Sequence, residues 1–242
     1  MIAIMQPTFL PWIGYFCMIA KVKYFVFLDN VQFEQRSWQS RNKIKLQEKE
    51  HFISLSHQKT SQKTLICDIK LSKDTKWKDK ILKTFYHAYS KSDNFNLIFD
   101  LLKHNLNKHE NLCELNISLI IAICKILEIN TPLFRSSMLD LNDLKRENLL
   151  VEICKKLDSN HYLSANGSKA YLDKKEAKEL FKDNKISISY FDFIHPIYKQ
   201  NLNKQQRGEG FISYLSIVDF LCSVKEPKEE FKKIILKQIK GF

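Results

Sequence analysis

A polar residue at the mouth of an apolar run is the first place where this chain could do chemistry. Met1-Ile2-Ala3-Ile4-Met5 is apolar, and Gln6-Pro7-Thr8-Phe9-Leu10-Pro11-Trp12-Ile13-Gly14-Tyr15-Phe16 follows it. Gln6 and Pro7 stand where a strand would end, and Pro11 where a helix would begin. Open α/β sheets take ligands at such strand exits, and a helix start favours anions. Gly14 would let the helix approach the sheet or a ligand closely. Tyr15 puts a hydroxyl in the same stretch, although Trp12, Tyr15 and Phe16 equally suit a core.

Two further clusters carry polar groups at strand exits. Arg36, Arg41 and Asn42 follow the second apolar run, Tyr24 to Leu28. An arginine fork grips two oxygens of a phosphate or carboxylate at once. His195 precedes Pro196 at the end of another strand-like run, with Tyr198 and Gln200 nearby. Of the seven histidines it has the best setting for a general base. Ser164-Ala165-Asn166-Gly167-Ser168 could form a small anion nest, with Ser164 and Gly167 as its binding residues, or a plain turn. Cys17 could act as a nucleophile only with a depressed pKa, and its neighbours Phe16, Met18 and Ile19 point to a buried, inert thiol. Asp219 could face a site or lie on the surface. No His/Cys set has metal-site spacing, so no metal is expected. The sequence names no cofactor.

These residues need elements to hold them. Met1–Met5 and Tyr24–Leu28 read as buried strands flanking a helix from Trp12 to Ala20. Asn42–Leu46 and Phe52–Leu55 read as a hairpin with a charged turn at Gln47–Glu50, and Leu65–Leu71 as a third strand of this insertion at the sheet's edge. Helical spacing follows from Trp77 to Tyr89, with Asp74 as the expected cap, then over Phe95–Leu106 and Leu112–Leu127. Leu133-Phe134 suggests a short strand and Leu144–Leu157 an amphipathic helix. His161–Ser164 and Ile186–Phe193 read as strands. Ser168 is expected to cap one helix running to Lys182, and Ser213 another from Tyr214 to Val224. A last helix after Pro227 would bury Phe231, Ile234, Ile235 and Ile239. The fold class is α/β: a Rossmann-like, mainly parallel sheet with a small β insertion and a helical middle segment. The chain reads as one α/β domain, residues 1–242, with a helical sub-lobe at about 74–130.

Bulk composition narrows the classes. The 242 residues are 44 % hydrophobic and 12 % aromatic, enough for a core. The formal charge is +12 and the pI about 9.3, which admits nucleic acid, anionic membranes or phosphate-bearing small molecules. Lysine is spread along the chain, and the densest basic run, Lys225–Lys240, is interrupted by Glu226, Glu229 and Glu230. No specific nucleic-acid partner is expected. The longest apolar stretch, near Ile117–Ile123, is too short for a transmembrane segment. Six scattered cysteines and no recognisable signal peptide suggest a cytoplasmic protein.

Met5-Gln6-Pro7 through Pro11-Trp12-Ile13-Gly14-Tyr15-Phe16, Asp29-Asn30-Val31-Gln32-Phe33 and Trp38-Gln39-Ser40-Arg41-Asn42-Lys43-Ile44 together resemble the WbqC-like family. So do Tyr162-Leu163-Ser164, Gly167, Tyr171-Leu172, His195-Pro196-Ile197-Tyr198-Lys199-Gln200 and Leu215-Ser216-Ile217-Val218-Asp219. The order is that of the family and spans almost the whole chain. The resemblance implies bacterial surface-glycan (O-antigen-like) biosynthesis, with glycine or another acyl group transferred to an amino sugar. A looser resemblance ties the opening to nucleotidylyltransferases with a His-x-Gly-His motif, where Trp12 and Tyr15 stand in place of the histidines. That departure counts against nucleotidyl transfer.

The leading expectation is a group-transfer enzyme acting on a phosphate-bearing substrate, a nucleotide-linked amino sugar, with an acyl carrier as possible partner. His195 would take the amine proton, Arg36 and Arg41 would hold phosphate, and Gln6, Pro7, Tyr15, Asn42, Tyr198 and Gln200 would line the substrate. Backbone N–H groups near Gly14 or Gly167 could stabilise an oxyanion. A nucleotidyl-transferase-like or adenylate-forming enzyme and a non-catalytic glycan-pathway binding protein stay open.

Overall fold

The computed structural model describes residues 1–200 and 210–239. Its centre is a five-stranded sheet made of β1 (Ile2–Met5), β2 (Tyr24–Phe27), β5 (Leu133–Arg135), β6 (His161–Ala165) and β7 (Ser187–Phe191). The strand order is β5-β2-β1-β6-β7, and every neighbouring pair is parallel. The central strands are apolar on both sides because both faces are covered. Ala3, Phe25 and Phe27 enter one core cluster, and Ile2, Ile4 and Val26 enter another on the opposite face.

The first face is covered by α1 (Ile13–Lys21), α2 (Lys76–Tyr89), α3 (Phe95–Lys108), α4 (Leu112–Ile126), α8 (Ile217–Ser223) and α9 (Pro227–Ile239). Helix α1 is buried from Ile13 to Ile19, as expected of a helix that is apolar all round. The second face is covered by α5 (Arg146–Lys156) and α7 (Lys175–Asp183). In α9, Phe231 and Ile234 are buried; the side chain of Ile239 and residue Lys240 lie outside what is described. The hairpin is β3 (Arg41–Leu46) and β4 (Lys49–Ser54), antiparallel. Its turn carries positive φ at Gln47 (50°) and Glu48 (61°), the backbone that fits the strand twist.

Several local expectations give way to packing. The hairpin forms its own two-stranded sheet, separate from the parallel one. Leu65–Leu71 is not a third strand: Ile66–Asp68 is a 3-10 turn, with single bridges from Leu65, Lys70 and Leu71. Ile66 and Ile69, three apart, are both buried, and a turn of period three places them on one side. Residues 166–183 do not form one helix capped by Ser168. They form a 3-10 turn (Asn166–Ser168), the four-residue α6 (Lys169–Leu172) and α7. The cap of α8 is Ser216, whose hydroxyl accepts Val218 N–H, and not Ser213. The N-cap of α2 is Thr75, while Asp74 accepts the Lys76 N–H and still satisfies one orphan donor of the first turn. Among the described residues no helix is long and apolar enough to cross a membrane.

Candidate active site

The sheet grows to one side through β1, β2 and β5, then to the other through β6 and β7. The reversal lies between β1 and β6, and a crevice opens outside the carboxyl ends of such a pair. Gln6 leaves β1 there, and the Asn166–Ser168 turn leaves β6.

The loop from Gln6 to Pro11 is pinned at nearly every carbonyl by groups distant in sequence. Tyr15 donates to Gln6 O at 3.1 Å. Asn116 donates to Pro7 O at 3.2 Å and to Gln39 O at 2.8 Å. Asn42 donates to Phe9 O at 3.0 Å and Leu10 O at 2.8 Å. Ser216 reaches Leu10 O at 2.8 Å, and Ile217 N–H reaches Pro11 O at 3.0 Å. A loop with its backbone so fully engaged presents its side chains from a rigid base.

Gln6 is aimed by a chain of amides. The Glu34 N–H donates to Gln39 Oε1 at 3.1 Å, and a backbone donor leaves no ambiguity about which end of that amide faces it. Gln39 Nε2 therefore donates to Gln6 Oε1, at 2.9 Å. Gln6 is left with its –NH2 group, which donates to nothing else among the described residues. Two unspent N–H donors thus stand at the strand reversal.

Beside this loop, two residues past β2, Asp29 is fully buried. Its carboxylate accepts Arg135 Nε at 2.8 Å, Ser137 N–H at 2.8 Å and Ser137 Oγ at 2.7 Å. Arg135 also reaches Glu114 at 2.5 Å. Ser136 Oγ accepts Asp29 N–H at 3.0 Å and lies 2.6 Å from Asn30 Oδ1. This network stitches the ends of β2 and β5 together.

His195 sits past the end of β7 against the start of α1. Its ring stacks on Trp12 with centroids 6.3 Å apart. Nδ1 lies 2.9 Å from Pro196 O, and Nε2 accepts Tyr214 N–H at 3.0 Å. Both nitrogens are therefore engaged, and burial holds the imidazole below its ordinary pKa, with the Pro196 carbonyl pulling the other way. In this conformation the ring is a neutral strut without a lone pair to spare. Gln200 binds Ile212 twice, at 2.7 Å and 2.8 Å. Tyr198 donates to Asp219 at 2.9 Å, as does Tyr89. Asp219 is wholly buried, neither at a crevice nor on the surface. Burial pushes its carboxyl up to about 6, against the pull of the Tyr89 and Tyr198 hydrogen bonds.

A scan against protein-family models matches the WbqC-like protein family over residues 6–230. The chain belongs to the WbqC-like protein family. An uncharacterised relative, Rv1507c of Mycobacterium tuberculosis, is 31 % identical over 232 residues, covering 92 % of this chain and 93 % of the relative. No solved structure matches.

The candidate site residues divide by what they touch. Pro7, Tyr15, Asn42, Tyr198 and Gln200 are buried and hold backbone or core. Ser164 is buried too, its hydroxyl only 3.4 Å from Ala165 O. Gly14 is needed for the Trp12 indole: a Cβ there would stand 2.1 Å from two ring atoms. Gly167 is exposed with open space around it. Arg36 is exposed on a turn with φ of 58°. Arg41 lies on the hairpin with its guanidinium 4.6 Å from the Phe52 ring, near the half-exposed Trp38. Cys17 is buried, and burial pushes its thiol far up, away from a thiolate. Gln39, Asn116, Arg135 and Ser136 were not singled out as site residues. Gln39 was legible as the neighbour of Trp38 in the motif; Asn116 and Arg135 carry no local signal. The larger cavities, of about 490 and 610 Å³, lie elsewhere.

Proposed function

We propose that this WbqC-like protein is a group-transfer enzyme of bacterial surface-glycan biosynthesis, moving an acyl or aminoacyl (glycyl) group onto a nucleotide-linked amino sugar. The supporting observation is the Glu34–Gln39–Gln6 relay, which leaves two aimed amide donors at the strand reversal of a parallel sheet. The order β5-β2-β1-β6-β7 with its reversal between β1 and β6 supports a Rossmann-like reading, in which ligands bind at this end. In the reaction the sugar amine attacks the acyl carbonyl. A C–N bond forms, the bond from the carbonyl to the donor's leaving group breaks, and the amine proton goes to that leaving group. Gln6 Nε2 donates to the oxygen on which charge develops. Arg41 and Arg36 attract the diphosphate. His195 acts through position, holding Trp12 and the Tyr214 segment. The test is turnover read by mass spectrometry. Nucleotide-linked amino sugars, paired with glycyl and acyl donors, should gain the mass of one acyl group with wild type and not with Gln6→Ala. No mass gain with any pair would overturn the reading.

A further inference from the structure

The chain between the hairpin and α2 passes the start of α4 and encloses a cavity of about 610 Å³ with it. Lys70, Lys73 and Lys78 line this cavity together with Ser72, Thr75 and His109. None of the three lysines has an ion-pair partner among the described residues. Lys78 lies 5.6 Å from the Trp77 ring centre, a contact that leaves its N–H donors free. The hydroxyls of Ser72 and Thr75 likewise make no hydrogen bond among the described residues. The Nε2 atom of His109 is shielded from solvent and has no hydrogen-bond partner among the described residues. Glu110 is the one carboxylate in the lining. The first N–H of α2 is already taken by Asp74, so the helix end is not what makes the cavity attractive.

Three ammoniums and two hydroxyls without a partner among the described residues, and a shielded imidazole nitrogen, share this lining. Together they suit an acceptor with several oxygens and more than one negative charge. A single carboxylate offers too few oxygens for this set, whereas a phosphate group offers three or more. The concave lining suits a small molecule rather than a duplex or a bilayer surface. We propose that this cavity binds the phosphate or diphosphate group of a soluble small molecule, at a place separate from the Gln6 crevice. The inference does not depend on the group-transfer reading, because no residue is shared.

His109 supplies the readout. Burial, together with Lys108, holds its imidazole below the ordinary value. A bound dianion would reverse that, raising it by about one unit or more, the effect of an opposite charge at close range. The experiment follows the imidazole resonances of His109 by NMR in the full chain while pyrophosphate is added, with assignment through His109→Gln. The expected result is a saturable shift and a raised midpoint of titration, both lost in a Lys70→Ala/Lys73→Ala/Lys78→Ala variant. Lys70 and Lys73 are exposed, so the variant should keep its fold, checked by circular dichroism. If it does not fold, Lys73→Ala alone should weaken the midpoint at least about threefold. No shift at millimolar pyrophosphate would overturn the proposal, as would a shift that survives loss of the lysines. Binding to anionic vesicles with no response to pyrophosphate would also overturn it, in favour of a lipid headgroup.

Discussion

At the scale of single residues, most of the family motif serves to aim one side chain. Tyr15, Asn42, Asn116 and Ser216 hold the loop, and Gln39 orients the amide of Gln6, whose –NH2 stays unspent among the described residues. Gly14 belongs to the same design, because the Trp12 indole occupies the space its Cβ would need. The indole packs edge-on against Phe193 at 4.8 Å and meets Tyr214 at 5.1 Å. Gly14→Ala must push this ring outward, since the backbone of a buried helix cannot retreat. The expected cost is about 1–3 kcal/mol, the usual range for overpacking, read by urea melts. A red shift of tryptophan emission should accompany it. A variant as stable as wild type, with unchanged emission, would show that Trp12 has another place to go.

At the scale of elements, the segment after β7 is tied to α8 by a buried carboxylate. Asp219 receives the hydroxyls of Tyr89 from α2 and Tyr198 from the segment itself. Its folded pKa of about 6 stands above the ordinary 3.8. The folded state therefore holds this proton more tightly than the unfolded state. The stabilisation is fully present below about pH 4 and is lost as pH rises through about 6. Relative to Asp219→Asn, which does not titrate, wild type should lose up to about 3 kcal/mol across that window, at 1.36 kcal/mol per unit. Chemical melts of both proteins from pH 4 to 8 check this. A difference that does not change with pH would place the proton elsewhere. Elements with continuous apolar runs or clear periodicity were legible in the sequence: β1, α1, β2, α2–α4, β6 and β7 stand where those patterns put them. The stretches that misled are those where tertiary contacts override local pattern. Leu65–Leu71 alternates like a strand, yet no partner strand runs beside it. Ser213 and Ser168 look like caps, but the helix starts are set by Ser216 bonding Leu10 and by the break after Leu172. The pairing of Asp29 with Arg135 could not be read locally, because it depends on β2 and β5 being neighbours.

At the scale of the whole molecule, the parallel sheet with helices on both faces collects strand exits at one edge. That is why Asp29 and Arg135 meet although they are far apart in sequence, and why the Gln6 loop and the Asn166–Ser168 turn leave neighbouring strands. The formal charge of +12 is spread over lysines along the whole chain, a few of them paired with acidic neighbours along α7 and α9. The part with a binding meaning is the part left unpaired around concave surfaces. The central proposal is that the aimed amide of Gln6 serves the developing acyl oxygen beside a bound, anionic nucleotide-linked sugar. Gln6→Glu tests it with little change of shape. The new carboxylate can still accept from Gln39, but it turns two donors into a negative charge facing the substrate. Calorimetric titration with a nucleotide-linked amino sugar should show wild-type binding weakened at least about tenfold in Gln6→Glu, or about 1.4 kcal/mol, with the melting temperature unchanged. Equal affinity in the two proteins, or no binding by wild type, would contradict the account.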